Sequence, residues 1–547
     1  MKKSLLFLLL IGIFLSDLLI MRSYAVNGAN NEVKEATIRN AYWVGDYQVP
    51  GISPRKKNSF LLEIQFPIDS PGFEQIQKFI VNAGYQFELK AKGEKAMTAY
   101  GYEYNYYQIN NQNIWGFWFF IDSKEPIVVK ENIPYRLTLK KPNKNYRWII
   151  KNKIIFQNLS EVKFSTFKDP AMEMLTNGRL IGSKDAEVIP FQDDDGFIII
   201  NGRINDSEKQ YRFIVDTGAG VVLISDKVAA ELKLEKKMFG RVSDYYAAKT
   251  VDIVPLNRLT VGEMGVENFG AIVMNIEILN EYQVDGLIGY DFLKFFNIEI
   301  DYEHHLLTLA RENIPADPAA FKTKLHLKPT RQIATELKIG TVRVDTIIDT
   351  GSTGKYYLTI PLSFLNEYKS ILSGKPVEVR GTAIASAVSD STGMIARINS
   401  VQLGDFHAEN LPAILDNGNS IVLGSQFLSH FKVVINFPVM EMSLIPNTGM
   451  VMNTNVFSYG FGVRGKDEAG RIYICAIFEG SPADQAGLEV GDEIKKIYNN
   501  SNTELTYKDL LNLINSEENQ PIKLLISDQT GEREVVLNKA MLLPEVD

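Results

Sequence analysis

The sequence predicts a mainly β, multidomain protein built around a tandem duplication. Three observations carry this. The chain has 547 residues, too many for one core at roughly 100–200 residues per domain, so about three to five units are expected. Short apolar and aromatic runs bounded by turn-forming residues recur along its length, while clear helical stretches are few and short. A block at 213–219 returns at 346–352, and its downstream elements follow in the same order.

Composition sets the outer limits. Apolar residues make up 45% and charged residues 23%, the balance of a soluble globular chain. A formal net charge of -8 argues against nucleic acid, which needs a basic face. Cys475 is the single cysteine, so neither an internal disulfide nor a cysteine-based zinc site can form. Within Ile472-Tyr473-Ile474-Cys475-Ala476-Ile477 it reads as a small buried hydrophobe. No metal or other cofactor is expected.

Lys2 and Lys3 precede an apolar run from Leu5 to Leu15, and Ser23-Tyr24-Ala25 offers small residues where a signal peptidase reads. Residues 1–25 therefore read as a secretory signal. Asp17 interrupts the apolar stretch, which disfavours the rival reading of an uncleaved membrane anchor. No cysteine for a lipoprotein signal occurs there. The expected mature chain is exported, periplasmic or secreted, and of bacterial type.

Residues 26–170 read as a β-rich domain of unknown role. Tyr100, Tyr102, Tyr104 and Tyr106 fall on one face of a strand. Trp115, Phe117, Trp118, Phe119 and Phe120 follow as a second strand, with Asn110-Asn111-Gln112-Asn113 as the hairpin loop. Such a stripe reads as sandwich core, with a sugar-stacking or peptide-docking face as the alternative.

Residues 175–312 and 318–447 form the duplicated units. Phe213-Ile214-Val215-Asp216-Thr217-Gly218-Ala219 matches Thr346-Ile347-Ile348-Asp349-Thr350-Gly351-Ser352, at an offset of 133 (216 to 349). Leu287-Ile288-Gly289-Tyr290-Asp291-Phe292-Leu293 matches Val422-Leu423-Gly424-Ser425-Gln426-Phe427-Leu428, at an offset of 135 (289 to 424). The match runs on through 296–302 against 431–437 and 307–309 against 442–444. Between these blocks, Val261-Gly262 and Leu403-Gly404 pair at an offset of 142 (262 to 404), so the middles carry compensating insertions and deletions. Each unit reads strand, Asp-Thr-Gly turn, strand, variable hairpin, strand, apolar-Gly, short helix, strand. The clearest helix is at 226–234.

Peptide hydrolysis needs a water made nucleophilic and a leaving amine protonated. Two carboxyls sharing one proton can do both, because like charges about 3 Å apart cannot both ionise. The ionised member serves as general base and the protonated member polarises the carbonyl and supplies the proton. The apolar strands before Asp216 and Asp349 would deliver each carboxyl into a dry site. Thr217 and Thr350 can bond backbone across a two-fold axis. Gly218 and Gly351 let the backbone turn and present N–H to the carboxylate.

These residues resemble the retropepsin-like aspartic proteases of the pepsin/retropepsin clan, over about 175–447. The resemblance implies that Asp216 and Asp349 form the catalytic dyad, one from each unit. It also implies two flaps, for which the variable hairpins at about 239–248 and 380–392 are the candidates. Ala219 stands where the second unit has Ser352. If that hydroxyl bonds the outer carboxylate oxygen, its loss favours the protonated form, and activity should reach weakly acidic to near-neutral pH.

At 455–543, Gly460-Phe461-Gly462-Val463 is followed by Ser481-Pro482-Ala483, Ala486-Gly487-Leu488 and Gly491-Asp492-Glu493-Ile494. Strands are expected at 460–463, 472–477 and 522–527, and helices at 482–486 and 507–516. The set resembles a PDZ domain of the kind attached to bacterial exported proteases. In that family the Gly-apolar-Gly-apolar loop binds a peptide's C-terminal carboxylate, and the peptide adds as a strand. The resemblance places this at Gly460, Phe461, Gly462 and Val463, with a purely structural PDZ as the alternative.

The resemblances together imply two tandem retropepsin-like acid-protease β-barrel units, an N-terminal β-rich domain and a C-terminal PDZ β-barrel with two helices. The expected function is an exported aspartic endopeptidase acting on proteins or peptides, its PDZ docking substrate or partner C-termini. The rival class is a non-catalytic envelope protein that binds peptides or glycans on an inactive scaffold. A serine protease is excluded because Asn417-Gly418-Asn419-Ser420 lacks the following Gly pair and His304, His305, His326, His407 and His430 offer it no partner. No His-Glu-x-x-His of a zinc protease occurs.

Overall fold

The computed structural model describes residues 34–47, 56–65, 86–91, 95–109, 112–121, 134–139, 154–157, 162–166 and 174–543, the last apart from 237, 244–247, 316, 329, 368, 386–389, 465–470, 517 and 530. Residues 1–25, read above as a secretory signal, the Asn110-Asn111 tip and the side chains of Tyr100, Tyr102, Tyr104, Tyr106, Trp115, Phe117 and Trp118 lie outside the described residues. No helix among the described residues is long and apolar enough to cross a membrane. The chain divides into two compact units, one from strands up to residue 166 and one essentially from residue 167 on.

The N-terminal unit contains β1 (Lys34–Tyr47), β2 (Lys56–Gln65), β3 (Gln86–Ala91), β4 (Met97–Ile109), β5 (Gln112–Ile121), β6 (Pro134–Leu139), β7 (Ile154–Gln157) and β8 (Val162–Thr166). Their order is β2-β5-β4-β3-β6-β8-β1-β7, and β1 also pairs with β2. The sheet therefore closes on itself, so the sandwich expected from the aromatic runs is a barrel instead. The physical reason is the length of β1, which pairs with β7 through Lys34–Thr37 and with β8 through Ala41–Trp43 while β2 takes its other edge. Closure leaves no long edge for other chains to pair with. Phe60, Leu62 and Ile64 alternate inward along β2. The Phe60 ring stacks on Trp43 and on Phe119, with centroids 6.2 and 5.3 Å apart.

The second compact unit begins with one complete set of strands: β9 (Arg179–Ile181), β10 (Ala186–Pro190), β11 (Gln192–Asp194), β12 (Phe197–Ile204), β13 (Tyr211–Val215), β14 (Leu223–Ile224), β15 (Met238–Ser243), β16 (Ala248–Val261), β17 (Met264–Val273), β18 (Gly286–Ile288), β19 (Asn297–Asp301) and β20 (Leu306–Ala310). Helices α1 (Asp226–Glu231), α2 (Glu277–Glu281) and α3 (Tyr290–Leu293) lie among them. Ser225 caps α1 by accepting from Val228 N at 3.2 Å. The helix stops short of residue 234 because Lys233 takes a left-handed φ of 50°.

A second set repeats the first: β21 (Phe321–Leu327), β22 (Ile333–Ile339), β23 (Val342–Asp349), β24 (Leu358–Pro361), β25 (Leu372–Ala385), β26 (Asp390–Leu403), β27 (Phe406–Asp416), β28 (Ile421–Gly424), β29 (Phe431–Asn436) and β30 (Glu441–Pro446), with α4 (Leu362–Glu367) and α5 (Ser425–Leu428). β13 runs parallel to β18, which β14 pairs from its other side. β23, β28 and β24 do the same. The variable hairpins are β15–β16 and β25–β26. Val261-Gly262 and Leu403-Gly404 stand at the same place in the two sets, each ending a long strand, with glycine φ of 60° and 56°.

One antiparallel sheet joins the sets, in the order β10-β20-β19-β29-β30-β21. Asn297 faces Asn436 and Asp301 faces Lys432, so the register turns about the middle of the β19–β29 pair. Ile298, Ile300, Leu307, Leu309, Val433, Ile435, Met442 and Leu444 from this sheet are buried in one apolar core. Each such side chain contributes roughly 1.5–3 kcal/mol relative to exposure.

The C-terminal region contains β31 (Phe457–Ser458), β32 (Phe461–Arg464), β33 (Ile472–Phe478), α6 (Pro482–Gln485), β34 (Glu493–Tyr498), α7 (Tyr507–Asn515), β35 (Ile522–Asp528), β36 (Gly531–Leu537) and β37 (Ala540–Met541). β34 and β36 complete a sheet with β32, β33 and β35 that the sequence reading marks only in part. Thr506 starts α7 with a capping box, in which Asp509 N donates to its hydroxyl and Asp509 Oδ2 accepts from its backbone N–H.

Candidate active site

Each Asp-Thr-Gly turn sits where an apolar strand ends. Phe213, Ile214 and Val215 are fully buried, so β13 carries Asp216 into the core. The Asp216 backbone N–H donates to Ile288 O of β18 at 3.0 Å. In the second set, Asp349 lies beside Gly424 at the end of β28. Gly289 and Gly424 are required by this crossing. A Cβ on Gly289 would stand 2.4 Å from Val221 O, and one on Gly424 would stand 2.6 Å from Ser352 O.

The two turns lock onto each other. Thr217 Oγ1 donates to Ile348 O at 2.8 Å and Thr350 Oγ1 donates to Val215 O at 2.7 Å. The backbone N–H of Thr217 donates to Thr350 Oγ1 at 3.1 Å, and that of Thr350 to Thr217 Oγ1 at 3.0 Å. Both threonines are buried, so each bond forms out of water's reach and leaves no group unmatched.

Asp216 and Asp349 are brought together within hydrogen-bonding reach of each other. Gly218 N and Ala219 N donate to Asp216 Oδ1, both at 2.9 Å. Gly351 N and Ser352 N donate to Asp349 Oδ1 at 2.8 and 3.1 Å. Gly218 and Gly351 are glycine for a reason beyond turning. A Cβ on Gly218 would stand 2.2 Å from the Asp349 carboxyl carbon, and one on Gly351 2.5 Å from that of Asp216. Burial pushes the Asp216 carboxyl well above the ordinary carboxylate range, followed by the Asp349 charge and the hydrogen bond between the two. The raised proton affinity has burial and the second carboxylate as its leading causes. Ser352 serves Asp349 through its backbone, as Ala219 serves Asp216.

Two residues that the motifs do not mark, Arg331 and Gln332, brace this centre. The turn before β22 reaches the first set, where Gln332 Nε2 donates to Gly218 O at 2.9 Å. Its neighbour Arg331 donates from Nε to Gly220 O at 3.4 Å and forms an ion pair with fully buried Asp291 of α3. Arg331 holds a φ of 68° there, the left-handed region a non-glycine residue rarely adopts. The one signal in the sequence is that a charged Asp291 stands where the repeat has Gln426.

In the C-terminal region Gly460 has a φ of 86°, and a Cβ there would meet Ser481 Cβ at 2.0 Å. Its N–H donates to Ser458 Oγ at 3.1 Å, and its carbonyl accepts from Phe478 N and Ser481 Oγ. Gly460 is therefore the turn, and Phe461, Gly462 and Val463 form the strand that follows, paired with β33. Among the described residues, no group of three or more His, Cys, Asp or Glu side chains is placed to hold a metal ion.

Comparison with known families agrees with this division. Residues 200–292 match the family model described as aspartyl protease, which takes in β12 through α3 and includes Asp216. Residues 450–527 match the model described as PDZ domain. The chain is thus mainly β, with a region similar to retropepsin-like aspartyl proteases and a PDZ domain towards its C-terminus. No curated protein matches it.

Proposed function

We propose that this protein is an aspartic-type endopeptidase whose water is activated by Asp216 and Asp349. The observation that carries the reading is the pair itself: two carboxyls within hydrogen-bonding reach on interlocked turns, with burial and the second carboxyl pushing Asp216 well above the ordinary carboxylate range. One carboxylate takes a proton from water, which attacks the peptide carbonyl. The other donates its proton to the carbonyl oxygen, and collapse of the tetrahedral adduct returns a proton to the leaving amine. The PDZ domain docks C-termini of substrates or partners, with Phe461, Gly462 and Val463 offering backbone to the peptide. The chain is exported, to the periplasm or beyond, after removal of residues 1–25.

Cleavage of a labelled unfolded protein at weakly acidic to neutral pH tests the chemistry. Asp216→Asn and Asp349→Asn should each lower the rate by about 10²–10⁴-fold or more. Wild-type rates in both variants would sink the dyad and leave a peptide- or glycan-binding protein. Intact mass of the protein from its native host tests export separately. A mature chain starting at Val26 is expected, and retention of Met1 would overturn it.

A further inference from the structure

The PDZ domain is fastened to both sides of the dyad. On one side β33 pairs antiparallel with β25 of the second variable hairpin, Val379 facing Phe478, Arg380 facing Ile477 and Gly381 facing Ala476. Glu479 N donates to Glu378 O at 2.9 Å, and Arg380 forms an ion pair with Asp484. Gly381 permits the approach, since a Cβ there would stand 2.2 Å from Cys475 O. Val379, Ile395 and Ile414 of the hairpin sheet share an apolar cluster with Ala476, Leu542 and Leu543.

On the other side α7 holds the first set. Tyr507 OH donates to Glu281 Oε1 of α2 at 2.9 Å. Lys508 Nζ donates to the buried carboxylate of Asp194 at 2.9 Å, and Asn515 Nδ2 to Asp195 Oδ1 at 3.4 Å. Asp194 and Asp195 begin the β11–β12 turn, whose Gly196 lies so close to Ser425 that a Cβ would stand 3.1 Å from its Oγ. Ser425 N in turn donates to Ser352 O of the Asp349 turn at 2.8 Å.

We infer that the PDZ domain is an intramolecular clamp, tying the second hairpin to the first set so that the hairpin lifts only when the α7 anchors let go. The inference rests on the peptidase reading for its effect on turnover, but not for its effect on motion. Tyr507 and Lys508 are positioning residues here. Removing a hydroxyl and an exposed ammonium leaves the fold intact while cutting the two shorter of the three side-chain links, the Asn515–Asp195 bond at 3.4 Å being the weakest of them.

The test is hydrogen exchange of the full chain carrying Tyr507→Phe and Lys508→Ala, against wild type and against Lys496→Ala, whose ion pair with Glu504 lies within the PDZ surface. Faster exchange in β25 and β26 of the double variant alone is expected, about fivefold or more, the lower end of typical coupling between sites. Cleavage of a short peptide should rise by a similar factor. Unchanged exchange in β25 and β26 would overturn the clamp, whatever the activity. A protein that cleaves nothing yet shows the exchange difference would keep the clamp and lose the peptidase reading.

Discussion

Asp216 lies half-buried at the end of an apolar strand and beside a second carboxyl, and each circumstance makes its proton harder to remove. Two consequences follow at this residue. The protonated partner needed for catalysis persists to higher pH than an ordinary carboxyl allows, so the rate should hold from weakly acidic towards neutral pH before it falls, as a pH–rate profile will show. A profile confined to strong acid would contradict the raised affinity. The second consequence concerns stability. A folded-state proton affinity above the ordinary value of 3.8 means that the group's stabilisation is complete below that value and is lost as pH rises through the folded-state value. Asp216→Asn removes the loss, so the variant should melt above wild type at neutral pH, with the gain vanishing in strong acid. Gly218→Ala tests the same centre by volume. Its methyl would stand 2.2–2.4 Å from the Asp349 carboxyl, so the turns must separate, costing about 1–3 kcal/mol in denaturant titration and most of the activity. The role of Gly218 was legible only in part. Sequence shows an Asp-Thr-Gly turn, but not that the glycine faces the other turn's carboxyl.

Elements whose reason is local could be read from the chain, and those whose reason lies across the molecule could not. The apolar strands before each Asp, the interlocking threonines, the apolar-Gly strand ends and the two long hairpins follow from short motifs occurring twice. The β19–β29 pairing at the centre of the joining sheet follows from the repeat only once both copies are seen together. The 328–332 turn, by contrast, carries no motif, and Arg331 takes its meaning from the other set, where Asp291 lies buried against it and Gly220 O accepts from it. The N-terminal barrel was missed for a related reason, since alternation gives a strand's two faces but not whether its sheet closes. The Arg331–Asp291 link makes its own prediction. Arg331→Ala leaves the buried Asp291 carboxylate only Lys294 Nζ, 3.8 Å away, and should destabilise the protein by up to about 3–5 kcal/mol, while Arg331→Met with Asp291→Asn should recover much of that loss. Equal melting of the single and double variants would mean that the pair does not act as a unit.

At the scale of the whole molecule, the PDZ domain matters for where its two faces are fastened. Phe461 and Val463 of β32 share an apolar cluster with Leu510, Leu513 and Ile514 of α7, so a peptide seated between strand and helix enters between two anchored walls. β32 leads through β33 to the second hairpin, and α7 leads through Lys508 and Tyr507 to the first set. The clamp inferred above requires that seating a peptide moves these walls apart, a movement each anchor would resist. Binding equilibria linked in this way are reciprocal, so whatever loosens the hairpin must also favour the peptide. The Tyr507→Phe, Lys508→Ala protein should therefore bind a fluorescent peptide with a free C-terminal carboxylate more tightly than wild type, by about fivefold, with its amidated twin weaker in both. The ion pair to Asp194 is only partly screened, because that carboxylate is buried while Lys508 is exposed. Raising salt should then narrow the difference between the two proteins without abolishing it. Equal affinities at every salt concentration would show that the groove widens without moving α7, and that the PDZ site and the dyad are fastened together but not coupled.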